Sequence, residues 1–283
     1  MKKQQFALAA IRGSYRNFSV KEKKIADYII NDPRNIIHLT INQIADELNL
    51  AESTVFRFCQ RIGFKGFQAF KIALAAEVVT PLKDIHEQIE EGDSVKTVAE
   101  KVFRSNIKTM EDTLQIIDGE ALEHAVTAVM AARKIEFFGN GGSAVVAMDG
   151  YHKFVRLGLH VAMNLDAHLQ LMSASQLTKG DVAIVISHSG TTRDVLEVLH
   201  VLKEKEVTIV SVTNFAKSPL SKDADIVLYT LSEETDFRSE ALASRIAQLS
   251  LIDALYTNVL IARGEEGKVA LQDMREAMSQ KRL

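Results

Sequence analysis

One cysteine, Cys59, stands in 283 residues, which excludes an internal disulfide framework and fits a reducing compartment. Next to Phe58 it reads as a small buried hydrophobe and not as a sensor thiol. Long apolar runs are also missing: no uninterrupted stretch approaches the roughly 18 residues that a membrane helix needs. The short run after Met1-Lys2-Lys3-Gln4-Gln5 is cut at Arg12, too little for a secretory signal. These absences lead us to expect a soluble, cytoplasmic chain with no membrane partner. Prolines number only 3, and Pro33 and Pro81 fall where helical patterns stop.

The rest of the composition is that of a globular protein, with 47% hydrophobic and 25% charged residues. The length suggests about two domains. The net charge of −3 hides a split: residues 1–80 carry 12 Lys and Arg against 7 Asp and Glu, a net +5, and the remainder a net −8. A basic front and an acidic back suggest that only the front meets a polyanion.

In the front part, Ile25, Tyr28 and Ile29 lie at helical spacing and Asp32-Pro33 ends the pattern. Thr40 is a good N-cap for a second helix from Ile41. Ala45, Asn49, Leu50, Val55 and Phe58 then have the spacing of a helix-turn-helix. A small residue lets the helices cross closely, Asn49 tolerates the positive φ of the turn, and the last three seal the second helix onto the core. That helix is expected over about 52–62. It would present Glu52, Ser53 and Arg57, with Thr54 at the margin, to base edges of double-stranded DNA. Arg61, Lys65 and Lys71 would meet phosphates. Phe56 is read as packing against Phe64, Phe67 and Phe70. A helical bundle with a solvated basic face is the plainer alternative.

Pro81, Gly92 and the run Glu87-Gln88-Ile89-Glu90-Glu91 mark a connector. A helix from Val98 to about Ile117 is expected to bury Val102, Ile107, Met110 and Leu114, and another helix follows near 121–132. Short apolar strands are expected at 135–138, 161–165, 182–186, 208–212 and 226–229, separated by helical segments. This alternation predicts an α/β doubly wound parallel five-stranded sheet, with ligands at the strand carboxyl ends.

Two turns at such ends carry chemistry. Gly139-Asn140-Gly141-Gly142-Ser143-Ala144 follows the first strand, and its glycines let a ligand approach the backbone of a helix N-terminus. Ser187-His188-Ser189-Gly190-Thr191-Thr192 follows the third strand and crowds four hydroxyls at a strand-to-helix junction. Capping by Thr191, with Asp194 closing a capping box, accounts for only one of them. Neutral hydroxyl donors beside a helix N-terminus suit a phosphate or sugar phosphate. Gly139, Gly141 and Ala144 also satisfy a dinucleotide fingerprint, but the first acidic candidate, Asp166, lies 27 residues past Gly139, against about 20 for that motif.

With both halves read, the chain resembles the RpiR family of bacterial transcriptional regulators, in which a helix-turn-helix precedes a sugar isomerase (SIS) domain. The resemblance rests on residues 44–48, 54–59 and 62–67 in front, and on 139–144, 166–168, 187–192 and 244–249 behind. It implies an all-α helix-turn-helix domain over 1–78, a helical linker over 79–105 and a SIS domain over 106–283. It further implies an effector-controlled regulator, often a repressor, of sugar or amino-sugar catabolic genes. Its partners would be operator DNA, a phosphorylated sugar and further copies of the chain, as a homodimer or homotetramer, with no cofactor, metal or catalytic residue. Effector-binding positions are Ser143, Ser187, Ser189 and Thr192, with Gly141 and Thr191 in the same turns and Asp166 and His168 nearby. Glu240 resembles the catalytic Glu of some SIS isomerases, and a sugar-phosphate aldose–ketose isomerase is the alternative function. Ala51 departs from the family, which commonly carries a capping Ser there.

Overall fold

The computed structural model describes residues 6–37, 39–78, 89, 92–214, 216–232 and 242–279. The front part is all helical: α1 (Ala7–Ser14), α2 (Val20–Asn31), α3 (Pro33–Ile36), α4 (Ile41–Glu47), α5 (Glu52–Arg61) and α6 (Phe67–Val78). Capping boxes start α2 at Ser19 with Glu22 and α4 at Thr40 with Gln43. Each reciprocal pair satisfies two otherwise orphaned helix N–H groups. Asn49 adopts φ 50° between α4 and α5, as the helix-turn-helix spacing predicts. Ala45, Val55 and Phe58 are buried in the helical core and Leu50 packs at its edge. Ala51 makes no capping hydrogen bond at the start of α5.

The segment dismissed in sequence as too short for a signal is α1. Its N-terminus is capped from outside the local chain, because the backbone N–H groups of Ala7 and Leu8 both donate to the Glu77 carboxylate on α6. Burial pushes the Glu77 carboxyl up to about 7, against the opposing pull of those hydrogen bonds and of Arg12. Leu8, Ala10 and Ile11 join the helical core, while Ala9 packs with Ile116 and Leu231 of the following part.

That part begins with α7 (Val95–Ile116) and α8 (Gly119–Ala131) and continues β1 (Ile135–Phe138), α9 (Gly142–Phe154), β2 (Val161–Met163), α10 (Ala167–Ala174), β3 (Val182–Ile186), α11 (Arg193–Glu204), β4 (Thr208–Asn214), α12 (Pro219–Asp223), β5 (Ile226–Thr230) and α13 (Leu242–Ser279), the last interrupted at Gly264. All strands are parallel, in the order β2-β1-β3-β4-β5. The order reverses between β1 and β3, and a crevice opens there at the carboxyl ends of the strands. One apolar layer packs α8, α9 and α13 on one face of the sheet. A second packs α10, α11 and α12 on the other.

The face assignment of α7 is corrected. Ile107 and Leu114 are 56% and 70% exposed, and Met110 is also exposed, whereas Thr109, Asp112, Thr113 and Ile116 are buried. Two of the buried polar groups, Thr113 and Asp112, meet partners that helical periodicity does not reveal. The Thr113 hydroxyl donates to the Leu231 carbonyl and accepts from its N–H, and Asp112 faces Arg12 of α1 at 4.0 Å. Helix α7 also runs unbroken past residue 105, where the sequence reading placed the end of a linker.

Candidate functional site: a cavity at the sheet switch point

Strand β1 delivers the chain to the 139–143 turn. Gly139 is packed so closely there that an added Cβ would lie 2.8 Å from the Ser143 carbonyl oxygen. Strand β3 delivers the hydroxyl turn. The Ser187 hydroxyl accepts from Gly190 N–H at 3.1 Å and the Ser189 hydroxyl from Thr191 N–H at 3.3 Å. Gly190 has φ 62° and lies against Ser218 and Thr213, with no room for a side chain.

The N-cap of α11 is Thr192, and its side chain makes no capping hydrogen bond. The plainer alternative, in which Thr191 caps the helix and Asp194 closes a capping box, is therefore not what the structure contains. The Thr192 hydroxyl instead lies 3.5 Å from that of Ser189. An uncapped helix start beside these hydroxyls offers donors and a positive dipole end to an anion.

A cavity of about 700 Å³ opens at this point, lined by Ser143, Ser187, Ser189 and Thr192 among others, within the size range of small-molecule sites. Four of the expected positions are thus brought together. Gly141, Thr191, Asp166 and His168 do not line it. Gly141, at φ 56°, serves as the N-cap of α9. Asp166 accepts from Leu169 N–H and starts α10, and the His168 side chain is 94% exposed. Capping and solvent exposure thus account for those two residues. Glu240 lies outside the described residues. Among the described residues, no group of three or more His, Cys, Asp or Glu is arranged to hold a metal ion.

Sequence reasoning missed other lining residues. Asn140 and Ser232 line the cavity, and the Asn140 side-chain N–H₂ and the Ser232 hydroxyl have no hydrogen-bond partner among the described residues. Buried polar atoms without partners are costly, and a polyhydroxylated ligand would satisfy both. Asn140 sits in the glycine turn that the sequence flagged; Ser232 carries no motif. Asn214 and Lys217 come from the end of β4 and the chain beyond it. The remaining wall comes from the front part: Arg12, Arg16, Asn17 and Asp27 also line the cavity. Tyr15 completes that wall. Its hydroxyl donates to Asp27 at 2.5 Å, and its pKa is pushed up to about 12 by burial and by that carboxylate.

In the helix-turn-helix, Glu52, Ser53 and Arg57 are exposed and Thr54 is half-buried, with Arg57 Nε donating to the Ser53 carbonyl at 3.1 Å. Lys65 is exposed. Phe56 is 41% exposed, and its ring lies over Gly66. Arg61 is engaged within the fold: it pairs with Glu22 at 2.7 Å, donates to the Asn17 carbonyl and stacks over Phe18. Burial opposes ionisation of Glu22, but hydrogen bonds from Ser19 and Arg61 prevail and lower its pKa. Lys71 donates to the Leu39 carbonyl at 2.8 Å. Arg61 thus joins the end of α5 to α2 and the turn before it while remaining exposed, and Lys71 joins α6 to the chain that precedes α4.

The helix-turn-helix domain model of the rpiR family matches residues 6–81 and the SIS domain model matches residues 129–258. The chain is 34% identical to the HTH-type transcriptional regulator HexR of Escherichia coli over 98% of its length and 95% of that protein. The chain belongs to the RpiR family of HTH-type transcriptional regulators. An uncharacterized regulator of Caldanaerobacter subterraneus is 38% identical over 98% of both chains. Among solved structures, the Vibrio vulnificus NanR protein complexed with ManNAc-6P superposes with a TM-score of 0.62 at 29% identity, covering 97% of this chain and 98% of that one. This RpiR-family chain is thus a transcriptional regulator with a DNA-binding helix-turn-helix and a SIS-fold domain, and both relatives carry the name of HTH-type transcriptional regulators. Among the described residues no helix is long and apolar enough to cross a membrane.

Proposed function

We propose that the protein is a cytoplasmic regulator, acting as a repressor, of carbohydrate or amino-sugar catabolic genes, and that a phosphorylated sugar in the switch-point cavity controls its grip on operator DNA. The observation that carries this reading is the convergence of Ser143, Ser187, Ser189 and Thr192 on one cavity beside the uncapped start of α11. Hydroxyls and helix N–H groups hold a phosphate, while Asn140 and Ser232 meet sugar hydroxyls. The ligand of the NanR relative is itself a sugar phosphate, which agrees in chemistry.

In this reading residues 1–78 bind DNA, 79–105 connect and 106–283 sense. Glu52, Ser53, Thr54 and Arg57 read bases and Lys65 meets phosphate. The apolar stripe of Phe103, Ile107 and Leu114 left uncovered on α7 supports assembly into a homodimer or homotetramer, which would place two recognition helices over half-sites about one DNA turn apart. The effector alters DNA affinity only as far as it binds the two conformations unequally. Titration of sugar phosphates into the wild type and a Ser187→Ala, Ser189→Ala variant tests the site. Binding is expected to disappear in the variant, and retained affinity would refute the assignment.

A further inference from the structure

The phosphate-binding half of the cavity belongs to the SIS fold, but its opposite wall is the end of α1 and the turn into α2, which are parts of the DNA-binding domain. Side chains from both domains therefore face one ligand-sized space. Among the described residues the lining is also cationic, with Arg12, Arg16 and Lys217 set against the carboxylate of Asp27. Arg12 is almost completely buried and faces Asp112, whereas Arg16 is exposed on the turn itself. The two walls are tied directly, because the Asn214 side chain donates to the Gly13 carbonyl at 3.2 Å.

The same turn holds the recognition helix. Next to Arg16, the Asn17 carbonyl accepts from Arg61 at the end of α5. The Phe18 ring packs on Phe58 of α5 at 5.2 Å between centroids, and the Arg61 guanidinium lies 5.6 Å over that ring. Residues 16–18 therefore touch the cavity on one side and α5 on the other.

We propose that Arg16 is an effector-binding residue, so that the sugar phosphate bridges the two domains and its occupancy is handed through residues 16–18 to the recognition helix α5. This rests on the sugar-phosphate reading of the cavity and deepens it, because the signal passes through a contact the ligand itself makes and does not depend on the connector after α6. An anion drawn to Arg16 pulls on the turn that fixes Arg61 and Phe58, and the angle of α5 to the rest of its domain responds.

The test uses the full chain and calorimetric titration with glucose 6-phosphate, fructose 6-phosphate, glucosamine 6-phosphate, N-acetylmannosamine 6-phosphate, 6-phosphogluconate and ribose 5-phosphate. Wild type is compared with Arg16→Ala, Arg16→Lys and the Ser187→Ala, Ser189→Ala double variant. For the sugar phosphate that wild type binds, Arg16→Ala is expected to weaken affinity at least tenfold and Arg16→Lys to recover part of it. Hydrogen exchange of residues 52–61 is expected to change on binding in wild type and to stay fixed in Arg16→Ala at saturating ligand. Unaltered affinity in Arg16→Ala together with lost binding in the serine variant overturns this inference and leaves the site reading intact. Wild-type affinity in the serine variant, or no binding of any compound by wild type, overturns both.

Discussion

At the scale of single residues, two positions carry consequences that can be measured. Asn49 holds φ 50° in the turn between α4 and α5, where a Cβ-bearing residue without a short polar side chain is strained by about 1 kcal/mol or more. Asn49→Ala is therefore expected to lower the melting temperature and Asn49→Gly to leave it nearly unchanged; equal loss in both would contradict a backbone origin. Glu77 gives a pH dependence with a definite sign. Its carboxyl is raised from 4.5 to about 7 in the fold, chiefly by burial, so the fold favours the protonated form. That contribution is full below about 4.5 and is lost as pH rises through about 7, an effect on the order of 2 kcal/mol. Glu77→Gln keeps an acceptor for the N-terminus of α1 and removes the titration. Chemical denaturation at pH 5 and pH 8 is expected to show a falling stability in wild type and a flat one in the variant.

At the scale of elements, two exposed cations near the end of α5 differ in whether they are tied to another helix. Lys65 is exposed on the turn after α5, while Arg61 is bound to Glu22 and Asn17. Lys65→Ala is expected to reduce the slope of log binding constant against log salt on duplex DNA by about 1. Arg61→Ala is expected to lower thermal stability while leaving that slope unchanged. A reduced slope in Arg61→Ala would return it to the phosphate-contacting set. These two residues also show what a local sequence pattern does not encode. The five strands, the positive φ of Asn49 and the hydroxyl turn were legible because each is a local pattern of apolar spacing or turn chemistry. The partners of Arg61, the role of α1 and the burial of Thr113 were not, because they depend on residues 39, 70 and 118 positions away in sequence. The face of α7 was misread for the same reason. Periodicity finds apolar stripes but does not say whether this fold covers them, and here the covered side is polar, with Thr113 bonded to Leu231 at the end of the sheet and Asp112 facing Arg12 of the front domain. Ser143, Ser187, Ser189 and Thr192 could be picked out as cavity residues from sequence, whereas Asn140, Ser232 and Arg16 needed the sheet order and the docking of α1 to bring them to the same place.

At the scale of the whole molecule, the apolar stripe on α7 bears on the proposed assembly and the shared cavity on how the two domains act together. If Phe103 and Leu114 are covered by a second copy, Phe103→Glu with Leu114→Glu is expected to shift sedimentation toward the monomer, and an unchanged sedimentation coefficient would move the subunit contact to another face. The larger claim is that the switch-point cavity holds a phosphorylated sugar as an effector and not as a substrate. It is tested most directly by titrating the purified protein with the panel of sugar phosphates and assaying each compound afterwards for turnover. The account expects at least one to bind, to remain chemically unchanged and to lose its binding in the Ser187→Ala, Ser189→Ala variant. Conversion of a sugar phosphate to its isomer, or binding that ignores both serines, would contradict it.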